Sequence, residues 1–102
     1  MTNFIQKSSF IQTTAEDASL TVVAPGAGKY NCLTQVTVET SAAGDFTITS
    51  GSKVFKAAIG AGSGLVLDFQ EPNQWIGAEN TSIVIAMSAG SYTINARGFV
   101  HP

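Results

Sequence analysis

Short stretches of period-two alternation, punctuated by glycine, fill the last third of the chain and leave it few folds to choose from. Leu65, Leu67 and Phe69 share one parity, Ile83, Ile85 and Met87 a second, and Tyr92, Ile94, Ala96 and Val100 a third, mostly with polar or small residues between. Side chains alternate across a strand, so this pattern predicts half-buried β-strands. The same reading extends upstream. Residues 29–39 form a longer strand with Cys32, Val36 and Val38 on one face and Gln35, Thr37 and Glu39 on the other. Phe46 and Ile48 alternate with Thr47 and Thr49, and the short link Ser50-Gly51-Ser52 leads into a strand over 54–59.

The connections carry turn chemistry. Pro25-Gly26-Ala27-Gly28 is a strong turn signal, because proline fixes φ and glycine opens positive φ. Ser88-Ala89-Gly90-Ser91 reads as a tight hairpin, which makes the last two strands antiparallel neighbours. Gly60-x-Gly62-x-Gly64 also reads as a hairpin: cradling a phosphate requires a helix N-terminus after the glycines, and a strand pattern follows instead. About eight strands at the 8–12-residue spacing of sandwiches, with no helical period in any useful window, predict an all-β, single-domain antiparallel β-sandwich of Greek-key type, and the jelly-roll form of it is what the family resemblance described below implies. A short helical turn is allowed near Ala15 or Trp75. An up-and-down barrel and a disulfide-free immunoglobulin-like domain stay open as alternatives. Residues 1–14 read as an N-terminal arm or first strand, and 15–102 as the sandwich.

Composition bears on function through its charge. Only 12% of the 102 residues are charged, about half the usual ~25%, while 44% are apolar. So few charges cover a free surface poorly, and exposed apolar patches mark interfaces, so the chain is expected to hide part of its outer face against copies of itself or a partner. The net charge of −2 provides no basic field for phosphate backbones, which argues against nucleic acid. A single cysteine, Cys32, excludes an intrachain disulfide and a thiolate zinc cluster, which suits a reducing compartment. The N-terminus lacks a signal-peptide pattern and no run of about 18 apolar residues occurs, so the expectation is a soluble product made in the cytoplasm, with no membrane partner.

No group of residues builds a reaction centre. His101 is the only histidine, with no acid or thiol close by in sequence, and reads as a solvated or interface-packed tail. Asp68 and Glu71 evoke a glycosidase pair, but Asp68 falls between Leu67 and Phe69 on the outward parity and Glu71 opens a loop. Metal binding by Asp68, Glu71 and Asn73 has equally little behind it. The chain is therefore read as no enzyme, with no cofactor and no metal. The candidate interface residues are the large apolar side chains of the arm, Phe4, Ile5, Phe10 and Ile11, together with Trp75. Trp75 stands in the one long connection, 71–80, as a ring that closes the core, anchors a protein contact or stacks on a sugar. Asn80-Thr81-Ser82 matches the glycosylation triplet, a match that is common by chance.

The run Leu65-Val66-Leu67-Asp68-Phe69, the loop with Trp75, the segment Ala78 to Ile85 and the closing Tyr92-Thr93-Ile94-Asn95-Ala96-Arg97-Gly98-Phe99-Val100 together resemble the small jelly-roll capsid decoration (cement) proteins of tailed bacteriophages. The likeness covers mainly residues 45–100 and is one of texture. It implies a homotrimer that binds the outside of the assembled head, with the major capsid protein as partner, the virion surface as location and the arm as a capsid-facing or subunit-bridging element. No family site residue carries over. A carbohydrate- or receptor-binding β-sandwich of a phage tail or fibre, with Trp75 as its platform, is the alternative expectation.

Overall fold

The computed structural model describes residues 8–9, 13–16, 18–69 and 74–101, and among them every regular element is a strand. The strands are β1 (Ser8–Ser9), β2 (Thr13–Glu16), β3 (Leu20–Val22), β4 (Tyr30–Thr40), β5 (Gly44–Ser50), β6 (Lys53–Ile59), β7 (Gly64–Asp68), β8 (Trp75–Ile76), β9 (Ile83–Met87) and β10 (Tyr92–His101). They make an all-β, single-domain fold of two antiparallel sheets. The ten segments fill eight rows. In the larger sheet β10 and β4 are central, β1 and β2 pair with successive stretches of the free side of β10, and β7 and β8 do the same along β4. The smaller sheet runs β3-β9-β5-β6. Ala15 and Trp75, where a helical turn was allowed, both lie in strands.

The alternation sorts residues as strand geometry requires. Phe46 and Ile48 of β5, Ile83, Ile85 and Met87 of β9, and Leu20 and Val22 of β3 are buried from the smaller sheet against Leu33, Val36, Val38, Ile94 and Ala96 of the larger. Leu65, Leu67 and Phe69 pack on this cluster half-buried, and Phe69 meets Phe55 edge to face with centroids 6.4 Å apart. That contact joins the two sheets along their β6–β7 side.

Two hairpin expectations are overturned. β9 pairs with β3 and β5 whereas β10 pairs with β4, so Ser88–Ser91 carries the chain from one sheet to the other. Likewise β6 and β7 belong to different sheets, so Gly60–Gly64 is also a crossover. A glycine in a four-residue link permits a sharp reversal but does not choose the neighbour. Here β9 and β10 stand in opposite sheets and turn Ile83, Ile85 and Met87, and Ile94 and Ala96, into the one core from its two sides. Among the described residues, only Gly51-Ser52 closes a tight hairpin, with Gly51 at φ 63° and Ser50 opposite Lys53.

The crossovers meet at one end of the sandwich and are laced together. Ser41 N–H donates to Ser91 O (2.9 Å), Ser91 N–H to Ser41 Oγ (3.0 Å), Thr40 N–H to Ser63 O (3.0 Å) and Ser88 N–H to Asp45 O (2.9 Å). Gly90, at φ 84°, lies so close to the neighbouring corner that a Cβ would stand 2.8 Å from the Ala42 backbone nitrogen. Gly90→Ala is therefore expected to cost about 2–3 kcal/mol from left-handed strain and overpacking, read as a lower urea midpoint.

A β-bulge corrects the predicted face of Cys32. The register of β4 against β10 shifts between Arg97 and Gly98: Gln35 lies opposite Arg97 and Leu33 opposite Gly98, leaving Thr34 as the extra residue. Thr34 Oγ1 donates to Arg97 O (3.1 Å), and Thr34 O accepts from Phe69 N–H (2.8 Å). Beyond the bulge the parity of β4 reverses. Leu33 thus joins the inter-sheet core with Val36 and Val38, and Cys32 turns to the outer face.

Candidate functional site

Phe4, Ile5, Phe10 and Ile11 lie outside the described residues, as do Glu71 and Asn73. Trp75 is described, and its place follows from β8. That strand pairs Trp75 with Leu33, on the inward side, so the ring packs half-buried against the core. Lys53, the first residue of β6, reaches across from the smaller sheet. Its Nζ stands 4.8 Å from the Trp75 ring centroid and donates to Ile76 O. One face of the ring thus carries an ammonium group, an arrangement of cation–π type that also ties the two sheets.

Because Lys53 makes both contacts, Lys53→Ala is expected to cost about 1–2 kcal/mol and to shift Trp75 fluorescence to the red. Lys53→Met keeps the apolar stem and is expected to recover part of that loss. Equal stability of both variants with the unaltered chain would contradict the arrangement.

The rest of this end is held by a clasp. The Pro25–Lys29 turn lies on the turn at Glu79-Asn80: Gly26 N–H donates to Asn80 Oδ1 (3.0 Å), Gly28 N–H to the Glu79 carboxylate (2.7 Å) and Asn80 N–H to Lys29 O (2.9 Å). Asn80 adopts φ 45°, a region that asparagine tolerates better than most residues. The glycosylation-like triplet is thus part of a structural clasp whose asparagine oxygen is already bonded. Buried Asn31 donates from Nδ2 to Val23 O (2.9 Å), and its backbone carbonyl accepts from Gly77 N–H (2.8 Å), closing the floor beneath.

The other residues singled out in the sequence do not converge. Asp68 is exposed on the outer face of β7, and His101 ends β10 opposite Tyr30, also exposed. Cys32 is buried. Among the described residues, no three of the His, Cys, Asp and Glu side chains are grouped so as to hold a metal ion.

Two surfaces not anticipated from the sequence stand out. The first is the outer face of the smaller sheet. Cross-strand register sets Thr21, Val84, Thr49 and Val54 in one row, with Ala86, Thr47 and Lys56 in the next. Val54 is 59% exposed. The only charges on these positions of β5, β6 and β9 are Asp45 and Lys56, which pair with each other at 3.5 Å, so the face is neutral and built of methyl-bearing side chains. The sequence signal for it was available: positions on the solvent parity of four strands carry threonine, valine and alanine where charges are usual.

The second is a groove of about 580 Å³ at the crossover end. It is walled by Glu39, Thr40, Ser41, Ser63, Ser91 and Tyr92, a lining rich in hydroxyl groups with a single carboxylate. Three separate connections contribute to it, so no contiguous stretch of sequence marks it.

No protein-family model matches the chain, and no curated protein is significantly similar to it.

Proposed function

We propose that the two sheets close as a jelly roll and that the chain is a structural virion protein, a homotrimeric decoration subunit on the outer surface of a tailed-phage head. Counting the eight rows in chain order, the larger sheet runs 1-8-3-6 and the smaller 2-7-4-5. That interleaved order, with successive rows changing sheet at nearly every step, is what supports the jelly-roll reading of the sandwich. The likeness of residues 45–100 to phage decoration proteins supports the assignment to a head.

The observation that carries the reading is the neutral, methyl-rich outer face of the smaller sheet. A chain with only 12% charged residues leaves such a face open when alone, and covering it against siblings or a shell removes apolar surface from water at about 25 cal/mol per Å². The mechanism is mass action: a subunit that binds the assembled shell and not its disrupted state stabilises the shell. Three linked copies bind with greater avidity than one. The subunit is made in the host cytoplasm and ends on the virion.

Co-sedimentation with mature heads of the encoding phage, stripped of the subunit, tests this. Saturable binding that raises the temperature at which heads lose their DNA is expected. No binding at micromolar subunit concentration would contradict the reading.

The hydroxyl-lined groove favours a second reading, a carbohydrate- or receptor-binding module of a tail or fibre, because sugar hydroxyls match hydroxyl and carboxylate partners. Retention on a host-glycan panel that is lost in Glu39→Ala would support it over the first.

A further inference from the structure

The hydroxyl-lined groove does not end at the crossovers. It runs on into a hollow of about 320 Å³ on the outer face of the larger sheet, and the two share Glu39, Gly64 and Thr93. Cross-strand register explains the continuity. Thr93 of β10, Glu39 of β4 and Gly64 of β7 form one outward row, and Asn95, Thr37 and Val66 form the next, about 7 Å further along the strands. Gly64 leaves the first row open on its β7 side: a Cβ there would stand 3.5 Å from Glu39 Cγ and 2.9 Å from Val38 O. The exposed Glu39 side chain therefore stands where the two hollows join.

The lining narrows what can occupy this trough. Glu39 is the only ionic side chain in either hollow among the described residues, so an anion would meet a carboxylate and no lysine, arginine or histidine. A single exposed carboxylate is also a poor selector of cations, because exposed ion pairs contribute little in water. Most of what remains is serine and threonine hydroxyl, with the Asn95 amide on one side and the 65%-exposed Val66 as an apolar wall on the other. A sugar ring has the same two-sided chemistry, hydroxyls around its edge and C–H groups on its faces. The trough is also held in shape by the chain itself. The bonds between Ser41 and Ser91 and from Thr40 to Ser63 fix its rim, and a preformed site loses little to ordering on binding.

We propose that this trough binds an uncharged, linear oligosaccharide, with the Glu39 carboxylate at its centre accepting charge-assisted hydrogen bonds from sugar hydroxyls and the C–H face of the next ring lying on Val66. The proposal rests on the glycan-binding reading given above and adds to it the charge class of the sugar, a length of more than one ring and the second hollow. Two hollows in line along β4 suit a chain of rings crossing the sheet, whereas a single ring would fill only one of them.

Tetrasaccharides of glucose, mannose, galactose and N-acetylglucosamine at millimolar concentration, with tetragalacturonate as the acidic counterpart, are the probes, and amide NMR chemical shifts are the readout. At least one neutral probe is expected to shift Thr37, Glu39, Gly64 and Asn95 together and saturably, while tetragalacturonate shifts none of them. Glu39→Ala is expected to weaken that probe by roughly 10- to 100-fold, the usual loss for hydrogen bonds to a charged group, and Thr37→Val, in the second hollow, by roughly 5-fold. Both variants are expected to keep the dispersed spectrum of the folded chain. Shifts confined to another surface, or an affinity unchanged in either folded variant, would overturn the proposal and leave the glycan-binding reading standing. Tetragalacturonate bound as tightly as the neutral probe would overturn it through its charge argument. Binding of no probe would end the proposal and that reading together.

Discussion

Phe46→Ala is expected to lower the free energy of unfolding by about 3–5 kcal/mol, the usual cost of removing a fully buried aromatic side chain and leaving a cavity. Phe46 is 0% exposed and sits on β5 between Ala57 of β6 and Met87 of β9, with its ring in the layer between the sheets. Domains of this size hold about 5–15 kcal/mol in all, so the variant stands near the edge of folding at room temperature. Urea titration followed by Trp75 fluorescence measures the loss. A change below about 1 kcal/mol, where ordinary surface substitutions fall, would mean that the two sheets do not share the core described above.

The second large effect concerns assembly and leaves folding nearly untouched. Thr21 and Val54 are exposed at opposite edges of the smaller sheet's outer face, in the row that also holds Val84 and Thr49. Thr21→Glu/Val54→Glu puts two carboxylates on a neutral surface. For the free subunit each change is expected to cost within about 0.5 kcal/mol. In the interface proposed above, each unpaired buried carboxylate is expected to cost about 3–5 kcal/mol, enough to turn the proposed trimer into single chains at micromolar concentration and to abolish the proposed binding to heads. Light scattering and head sedimentation read the two losses separately. A double variant that assembles and binds as before would remove this face from the account.

How far the fold was legible depended on which question a residue answers. Alternation reports which side of a strand faces the core, so Phe46, Ile48, Ile83, Ile85 and Ile94 were identified directly. It says nothing of which strand lies beside which. The links 88–91 and 60–64 therefore passed for hairpins, although each crosses between sheets. The turn at Pro25-Gly26-Ala27-Gly28 was readable because its chemistry is local, and Lys29 N–H indeed donates to Gly26 O (3.1 Å). Cys32 was misplaced because a bulge leaves its mark in the partner's register, not in the bulged strand alone. The adjacent Cys32-Leu33 pair was the one local hint, since two neighbouring apolar residues break a period of two.

The candidate surfaces were less legible for the same reason. Trp75 drew attention as a ring in a long connection, but its position followed from the pairing of β8 with β4, and the ammonium over its ring comes from Lys53, a residue of β6 twenty-two places earlier that reads in isolation as an ordinary edge lysine. The hydroxyl-lined groove needs three crossovers to come together and has no signature in any one of them. The neutral face of the smaller sheet could have been found by asking of each strand's polar parity whether it carried charge at all.

On the function proposed above, a chain this poor in ionic side chains covers its open sheet face by joining copies of itself. Multi-angle light scattering on the purified protein, at concentrations from one to one hundred micromolar, tests it most directly. The account predicts a single species of three times the 10.6-kDa chain mass. A mass of one chain throughout that range would contradict it.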